Sequence, residues 1–134
     1  MKQYNVPFHK LPITYKKALL ELHYMECETL EDVQKLYHDT LFTIEILSIQ
    51  ESTKRCMERM PEWSGYQGKT FEEYHADYVG DGSHIPNHGD SMYPVIENLD
   101  MEDEWLSDGW HRFHSYVKNK KEHVPLLRFQ EGRI

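Results

Sequence analysis

The sequence has only two cysteines, Cys27 and Cys56, among its 134 residues. They have the spacing of neither a zinc site nor a redox pair, so both are expected to be small buried side chains in helices. Nothing in the sequence supports a disulfide between them. A framework of disulfides or zinc ligands is therefore excluded as the basis of the fold.

Long apolar runs are also lacking. No run approaches the roughly 20 residues that are needed to span a bilayer. The first residues, Met1–Asn5, lack the apolar core of a secretory signal. We therefore expect a cytoplasmic protein without a membrane partner.

Basic residues are scarce in the middle of the chain. Residues 61–108 contain one Lys and twelve Asp or Glu, whereas residues 109–134 contain six Lys or Arg and two Glu, within a total net charge of −8. Broad, non-specific nucleic-acid binding needs an uninterrupted basic face, so direct binding of nucleic acid is not expected. The basic tail is compatible with a local anion site in an acidic protein.

Length and composition predict one globular domain, residues 1–134, with 39% hydrophobic and 13% aromatic residues. The patterning predicts an α+β fold, in which a helical N-terminal half packs on a small mixed sheet. Residues 1–60 are expected to be mainly helical and residues 61–91 to be rich in loops. Residues 92–134 are expected to form a core of strand, turn, helix and strand.

Hydrophobic spacing predicts the individual elements. Residues 4–13 carry two prolines and indicate an edge strand or an extended arm. A helix is expected from Thr14, a second one capped by Thr29, and a third over about residues 40–60. The start of the third is β-branched, but its length and its charged second half favour a helix.

The second half of the chain alternates between short elements. The patterns predict a helix capped by Thr70, a loop with three glycines, two short strands, a further helix and a final strand. These elements correspond to residues 70–78, 79–91, 93–97, 104–107, 110–120 and 124–129.

The stretch that is most specific about chemistry is Asp108-Gly109-Trp110-His111-Arg112. A glycine turn that leads into a helix concentrates backbone N–H groups at one point. His111 and Arg112 lie in the first turn of that helix and can address the same ligand. Arg112 can bind a phosphate in bidentate fashion, and His111 can donate a hydrogen bond or carry a proton.

This stretch, with Pro94-Val95-Ile96 before it and Val124-Pro125-Leu126-Leu127 after it, resembles the core of the ParB/sulfiredoxin superfamily. The resemblance covers about residues 92–129. Members carry a strand, a Gly-X-His-Arg type turn at the start of a helix, and a following strand. Trp110 stands where sulfiredoxins have a cysteine, so sulfinic-acid repair is not expected.

The resemblance implies a site for a nucleotide or another phosphate group, with ATP or CTP and Mg²⁺ as the expected ligands. It implies binding by Gly109, Trp110, His111 and Arg112. Phosphohydrolase or phosphotransferase activity would use His111 and Asp108. The alternative is purely structural: Trp110 belongs to the core, Asp108 caps the helix and Arg112 balances the acidic segment.

Two further interpretations stay open. The acidic middle, including Asp100-Met101-Glu102-Asp103-Glu104, is compatible with a non-enzymatic protein that docks on a basic partner, as an imitator of DNA does. A group of imidazoles and carboxylates has the side-chain types that bind metals, but their spacing matches no recognised metal site. We therefore expect a polar loop here rather than a metal site. This loop could form a lid over the phosphate site. That group comprises His75, Asp77, Asp81, His84, His88 and Asp90.

Overall fold

The computed structural model describes residues 2–81, 93–100 and 104–130. The fold is α+β, as the sequence predicts: helices pack on a four-stranded mixed sheet. The strands are β1 (Lys2–Pro7), β2 (Leu41–Ser48), β3 (Val95–Asn98) and β4 (His123–Phe129). The helices are α1 (Ile13–Leu22), α2 (Leu30–Leu36), α3 (Ile49–Glu58), α4 (Phe71–Val79) and α5 (Trp110–Lys118).

The strand order in the sheet is β1-β2-β4-β3. β1 is antiparallel to β2 and β2 is antiparallel to β4, whereas β3 lies parallel to β4. A parallel pair needs a crossover, and α5 lies in the connection from β3 to β4. β1 is an edge strand, as the sequence predicts, and Pro7 is its last residue.

The predicted third helix is wrong in its first half, because residues Leu41–Ser48 form β2. Ile44 and Leu47 recur at a spacing of three that also fits a helix, but β2 pairs on both sides, with β1 and β4. The helix begins only at Ile49, and the hydroxyl of Ser48 caps it by accepting from the Glu51 N–H at 3.1 Å. The N-terminal half therefore contributes two strands to the sheet in addition to the three helices α1, α2 and α3.

Strand–helix patterning is otherwise close to the expectation. Thr29 and Thr70 cap α2 and α4, as predicted. The strand that was expected at residues 104–107 is wrong, since the only ladder contact of this described segment is an isolated bridge between Asp108 and Ile96. The loop that is predicted at residues 79–91 lies largely outside the described residues.

The two faces of the sheet carry separate cores. On one face, α1 and α2 cover side chains of β2, β3 and β4, among them Phe42, Ile96 and Phe129. On the other face, α3, α4 and α5 cover Val95 and Leu126. The faces alternate because successive side chains of a strand point in opposite directions.

The strands also carry charged side chains on the second face. Glu97 is buried, and its Oε2 accepts from Nη1 of Arg59 at 3.0 Å. Its Oε1 lies 3.1 Å from Nε of Arg128, an ion pair without hydrogen-bond angles. On β2, which β4 separates from β3, the partly buried Glu45 pairs with Arg55 at 3.0 Å. The buried Glu97 and the partly buried Glu45 therefore both have cationic partners, as burial of charge requires.

Candidate functional site

Gly109 brings the start of α5 against β3. It is the N-cap residue, with φ of 94°, a left-handed conformation that glycine adopts without steric cost. A Cβ at this position would lie 2.9 Å from Cα of Val95 and 3.3 Å from Nη2 of Arg112. The glycine is therefore required by the packing of the helix on the strand, whether or not a ligand approaches it.

Arg112 is buried beneath this turn, with only 7% of its side chain exposed. Its Nε donates to the carbonyl oxygen of Pro94 at 3.1 Å, and Nη1 donates to Oε2 of Glu21 at 3.0 Å. Nη2 makes a long contact of 3.5 Å with Oδ2 of Asp108. The guanidinium is thus fixed in orientation by the backbone and already faces two anionic oxygens.

The other motif residues take different positions around the guanidinium. Asp108 pairs with Arg112 and does not cap α5, since Gly109 is the N-cap. His111 is exposed and lies edge-on to the ring of Tyr78, with 5.8 Å between centroids. Trp110 is half-buried against Phe113 and Trp105. Of the purely structural alternative, the placement of Trp110 in the core is therefore correct in part. The prediction that Asp108 caps α5 is wrong.

A cleft of about 470 Å³ opens at this turn. All five motif residues line it, together with Glu21 of α1 and Tyr78 of α4. Sequence reasoning missed these two residues, because their spacing in the chain carries no signal for a contact with a motif some 90 and 30 positions away. The cleft therefore brings together the residues that the motif predicted and adds a carboxylate and a phenol.

The charges of the cleft are mixed. Glu21 and Asp108 contribute two carboxylates, Arg112 contributes one guanidinium, and the helix N-terminus adds partial positive charge. Gly109 has no side chain to accept from the first N–H groups of α5. A bare dianion would meet two carboxylates here, whereas an anion that carries a divalent cation would meet ligands for both of its parts.

The histidines that the metal interpretation singled out are partly described. His75 is paired with the fully buried His114 through their Nδ1 atoms at 2.7 Å, with the rings stacked at 5.0 Å. Burial lowers the pKa of His75 below its ordinary value. Asp77 accepts from the Tyr66 hydroxyl at 3.1 Å. His84, His88 and Asp90 lie outside the described residues.

Within the described ranges, no group of three or more His, Cys, Asp or Glu side chains is arranged to hold a metal ion. Among the helices that the structure describes, none is long and apolar enough to cross a membrane. No protein-family model, curated protein or solved structure matches this chain.

Proposed function

We propose that the cleft at the start of α5 binds a phosphorylated ligand, a nucleotide such as CTP or ATP, as its Mg²⁺ complex. The observation that carries the proposal is the buried guanidinium of Arg112, which the Pro94 carbonyl holds in place at the base of an open cleft. A cytoplasmic location, which the sequence predicts, would supply both nucleotide and Mg²⁺.

The contacts of Arg112 support an anionic ligand. Its two terminal nitrogens already contact carboxylate oxygens of Glu21 and Asp108. The guanidinium is therefore oriented to bind anionic oxygen atoms. Glu21 is the replaceable partner, because 58% of its side chain is exposed and it belongs to a separate helix. A phosphate oxygen that displaces Glu21 would gain a contact with a preoriented donor.

The two carboxylates support Mg²⁺ as the companion of the phosphate. Mg²⁺ commonly binds through one or two carboxylates together with phosphate oxygens and water. Glu21 and Asp108 line the same cleft and contact the same guanidinium. With the metal bound between them and the ligand, their repulsion of the phosphate becomes attraction.

The local topology supports the same assignment. The motif follows β3, opens α5, and leads to β4, which lies parallel to β3. This is the order of strand, turn, helix and strand that the resemblance to the ParB/sulfiredoxin superfamily rests on. His111 at the mouth of the cleft and Trp110 on its wall complete the set of proposed binding residues.

Thermal-shift titration with CTP and ATP tests the proposal. We expect nucleotide to raise the melting temperature in the presence of Mg²⁺, and EDTA to remove this increase. The increase should be smaller in His111→Ala than in the control His9→Ala, which changes another exposed histidine. Glu21→Gln removes the competing carboxylate, so we expect it to bind inorganic phosphate more tightly than the wild type without metal. Absence of any shift at millimolar nucleotide, with folded protein, would refute the proposal.

An acidic face on α4 favours a second candidate function, docking on a basic partner. Glu72, Glu73 and Asp77 are exposed on this helix, and Asp81 follows just after it. Such a face attracts basic proteins by steering that weakens with salt. Competition with a DNA duplex for a purified basic DNA-binding protein tests this function, and unchanged competition after Glu72→Lys and Glu73→Lys would refute it.

A further inference from the structure

A second cleft, of about 300 Å³, adjoins the first and has a different chemistry. Tyr78 and Trp110 line both clefts and form the wall between them. Its size is at the lower end of the range of small-molecule sites, roughly 300–1,000 Å³. Five aromatic rings and one carboxylate characterise the lining: Trp63, Tyr66, Tyr74, Tyr78, Trp110 and Glu104.

The rings are inclined to one another as the walls of a cage are. Tyr66 and Tyr74 are 5.1 Å apart at 68°, and Tyr74 and Tyr78 are 6.1 Å apart at 57°. Two of the rings are held from outside the cleft. The Tyr66 hydroxyl donates to Asp77, and Tyr78 stacks on His114 at 3.8 Å. The cage is therefore largely preformed, which reduces the entropy lost on binding.

Trp63 is the exposed wall of the cage. It keeps 73% of its surface in contact with solvent, although a tryptophan gains free energy by burying its ring. Because Trp63 lies in the short turn before α4, a ligand in the cleft would cover the ring without unfolding a helix. An exposed tryptophan at the mouth of an aromatic cleft indicates a surface that a ligand completes.

The electrostatics of the cage favour a cation. Among the residues described, Glu104 is the only carboxylate that lines the cleft, and no Lys or Arg lines it. Burial, with smaller effects of Cys56, Tyr78 and the Glu104 carboxylate, raises the pKa of Tyr74, so this phenol stays neutral at physiological pH. Aromatic faces are negative, and cations over them gain more as they are desolvated.

We propose that this cleft is an aromatic cage that binds a quaternary ammonium group, either on a free small molecule of the choline type or on a trimethylated lysine. This ligand class goes beyond the proposed phosphate function and depends on a different cleft. A trimethylammonium group fits better than an unmodified Lys ammonium. The Lys ammonium is strongly hydrated, and in this cleft it would exchange its hydration shell for contact with a single carboxylate. The methyl groups instead contact the rings while the charge remains.

Titration with tetramethylammonium and choline, followed by tryptophan fluorescence and calorimetry, tests the cage directly. The neutral control is 3,3-dimethylbutan-1-ol, which has the shape of choline with carbon in place of the charged nitrogen. We expect the cations to bind and the neutral isostere to bind at least about fivefold more weakly, the size of one cation–π contact. Equal binding of the isostere, or equal binding of the neutral nucleoside cytidine, would overturn the proposal.

Variants locate the site. Trp63→Ala and Glu104→Gln should each weaken choline binding by roughly 5- to 30-fold. The matched control is Tyr24→Ala, which removes a ring that is 74% exposed outside the cleft and should leave binding unchanged. Because Trp63 is exposed, its removal should leave the fold intact, which circular dichroism verifies. Wild-type affinity in folded Trp63→Ala would overturn the proposal.

A last comparison distinguishes the two sources of the group. One peptide carries trimethyl-lysine and a second, with the same sequence, carries unmodified lysine. Tighter binding of the trimethylated peptide than of choline would assign the cage to a modified protein, and the reverse order would assign it to a small molecule. Binding of both peptides with one affinity, as tight as that of choline or tighter, would contradict recognition of the quaternary group.

Discussion

Gly109→Ala is the substitution for which the structure gives the clearest magnitude. The left-handed φ of 94° costs an alanine about 1–2 kcal/mol. The new Cβ would also lie 2.9 Å from Cα of Val95, a backbone atom of a buried strand that cannot rotate away. Overpacking of this kind costs about 1–3 kcal/mol, so we expect a total loss of about 2–5 kcal/mol in the free energy of unfolding.

Gly65→Ala is the matched control. Gly65 has a φ of 81° but no atom within 4 Å of an added Cβ, so its substitution carries the backbone cost alone. Urea unfolding of both variants would measure the difference, which we expect to be about 1–3 kcal/mol. Equal destabilisation would refute the conclusion that Gly109 is required by packing. Full stability of Gly109→Ala with loss of ligand binding would instead assign the glycine to the ligand.

Two further perturbations test the polar interior. Glu97→Ala leaves the guanidinium groups of Arg59 and Arg128 without their shared buried partner. We expect the free energy of unfolding, measured with a chemical denaturant, to fall by about 3 kcal/mol. A decrease below about 1 kcal/mol would contradict the importance of this pairing. The lowered pKa of His75 means that the unfolded chain binds more protons than the folded one near its ordinary value of 6.5, so stability should fall as pH decreases through that value. Urea unfolding at pH 7.5 and pH 5.5 should show this loss, and His75→Gln should reduce it; an unchanged loss in the variant would place its origin elsewhere.

Local sequence patterns predict most of the fold, wherever the local preference and the tertiary contacts favour the same element. The caps at Thr29 and Thr70, the edge strand β1, and α5 with the last strand all follow from local rules. The segment Leu41–Ser48 did not, because its apolar spacing fits both periods and its pairing partner lies some 80 residues away. The Ser48-X-X-Glu51 signature does mark the true start of α3 and was the available local signal.

The candidate site was accessible only as a motif. The turn, the glycine and the arginine were identified from five consecutive residues, and the structure places all five at one cleft. The burial of Arg112 was not accessible, because its main partner Glu21 belongs to another helix and to the far end of the sequence. The aromatic cage was equally hidden, since its rings come from separate segments that only tertiary packing brings together.

Chemical-shift mapping of the amide spectrum with CTP and Mg²⁺ tests the central claim most directly. We expect the largest changes at the backbone amides of Gly109 to Arg112 and at the Nε–H of Arg112, saturating with nucleotide and reversed by EDTA. Saturable changes that leave these groups unaffected, or an unchanged spectrum at millimolar ligand, would contradict the assignment of the cleft to a phosphorylated ligand.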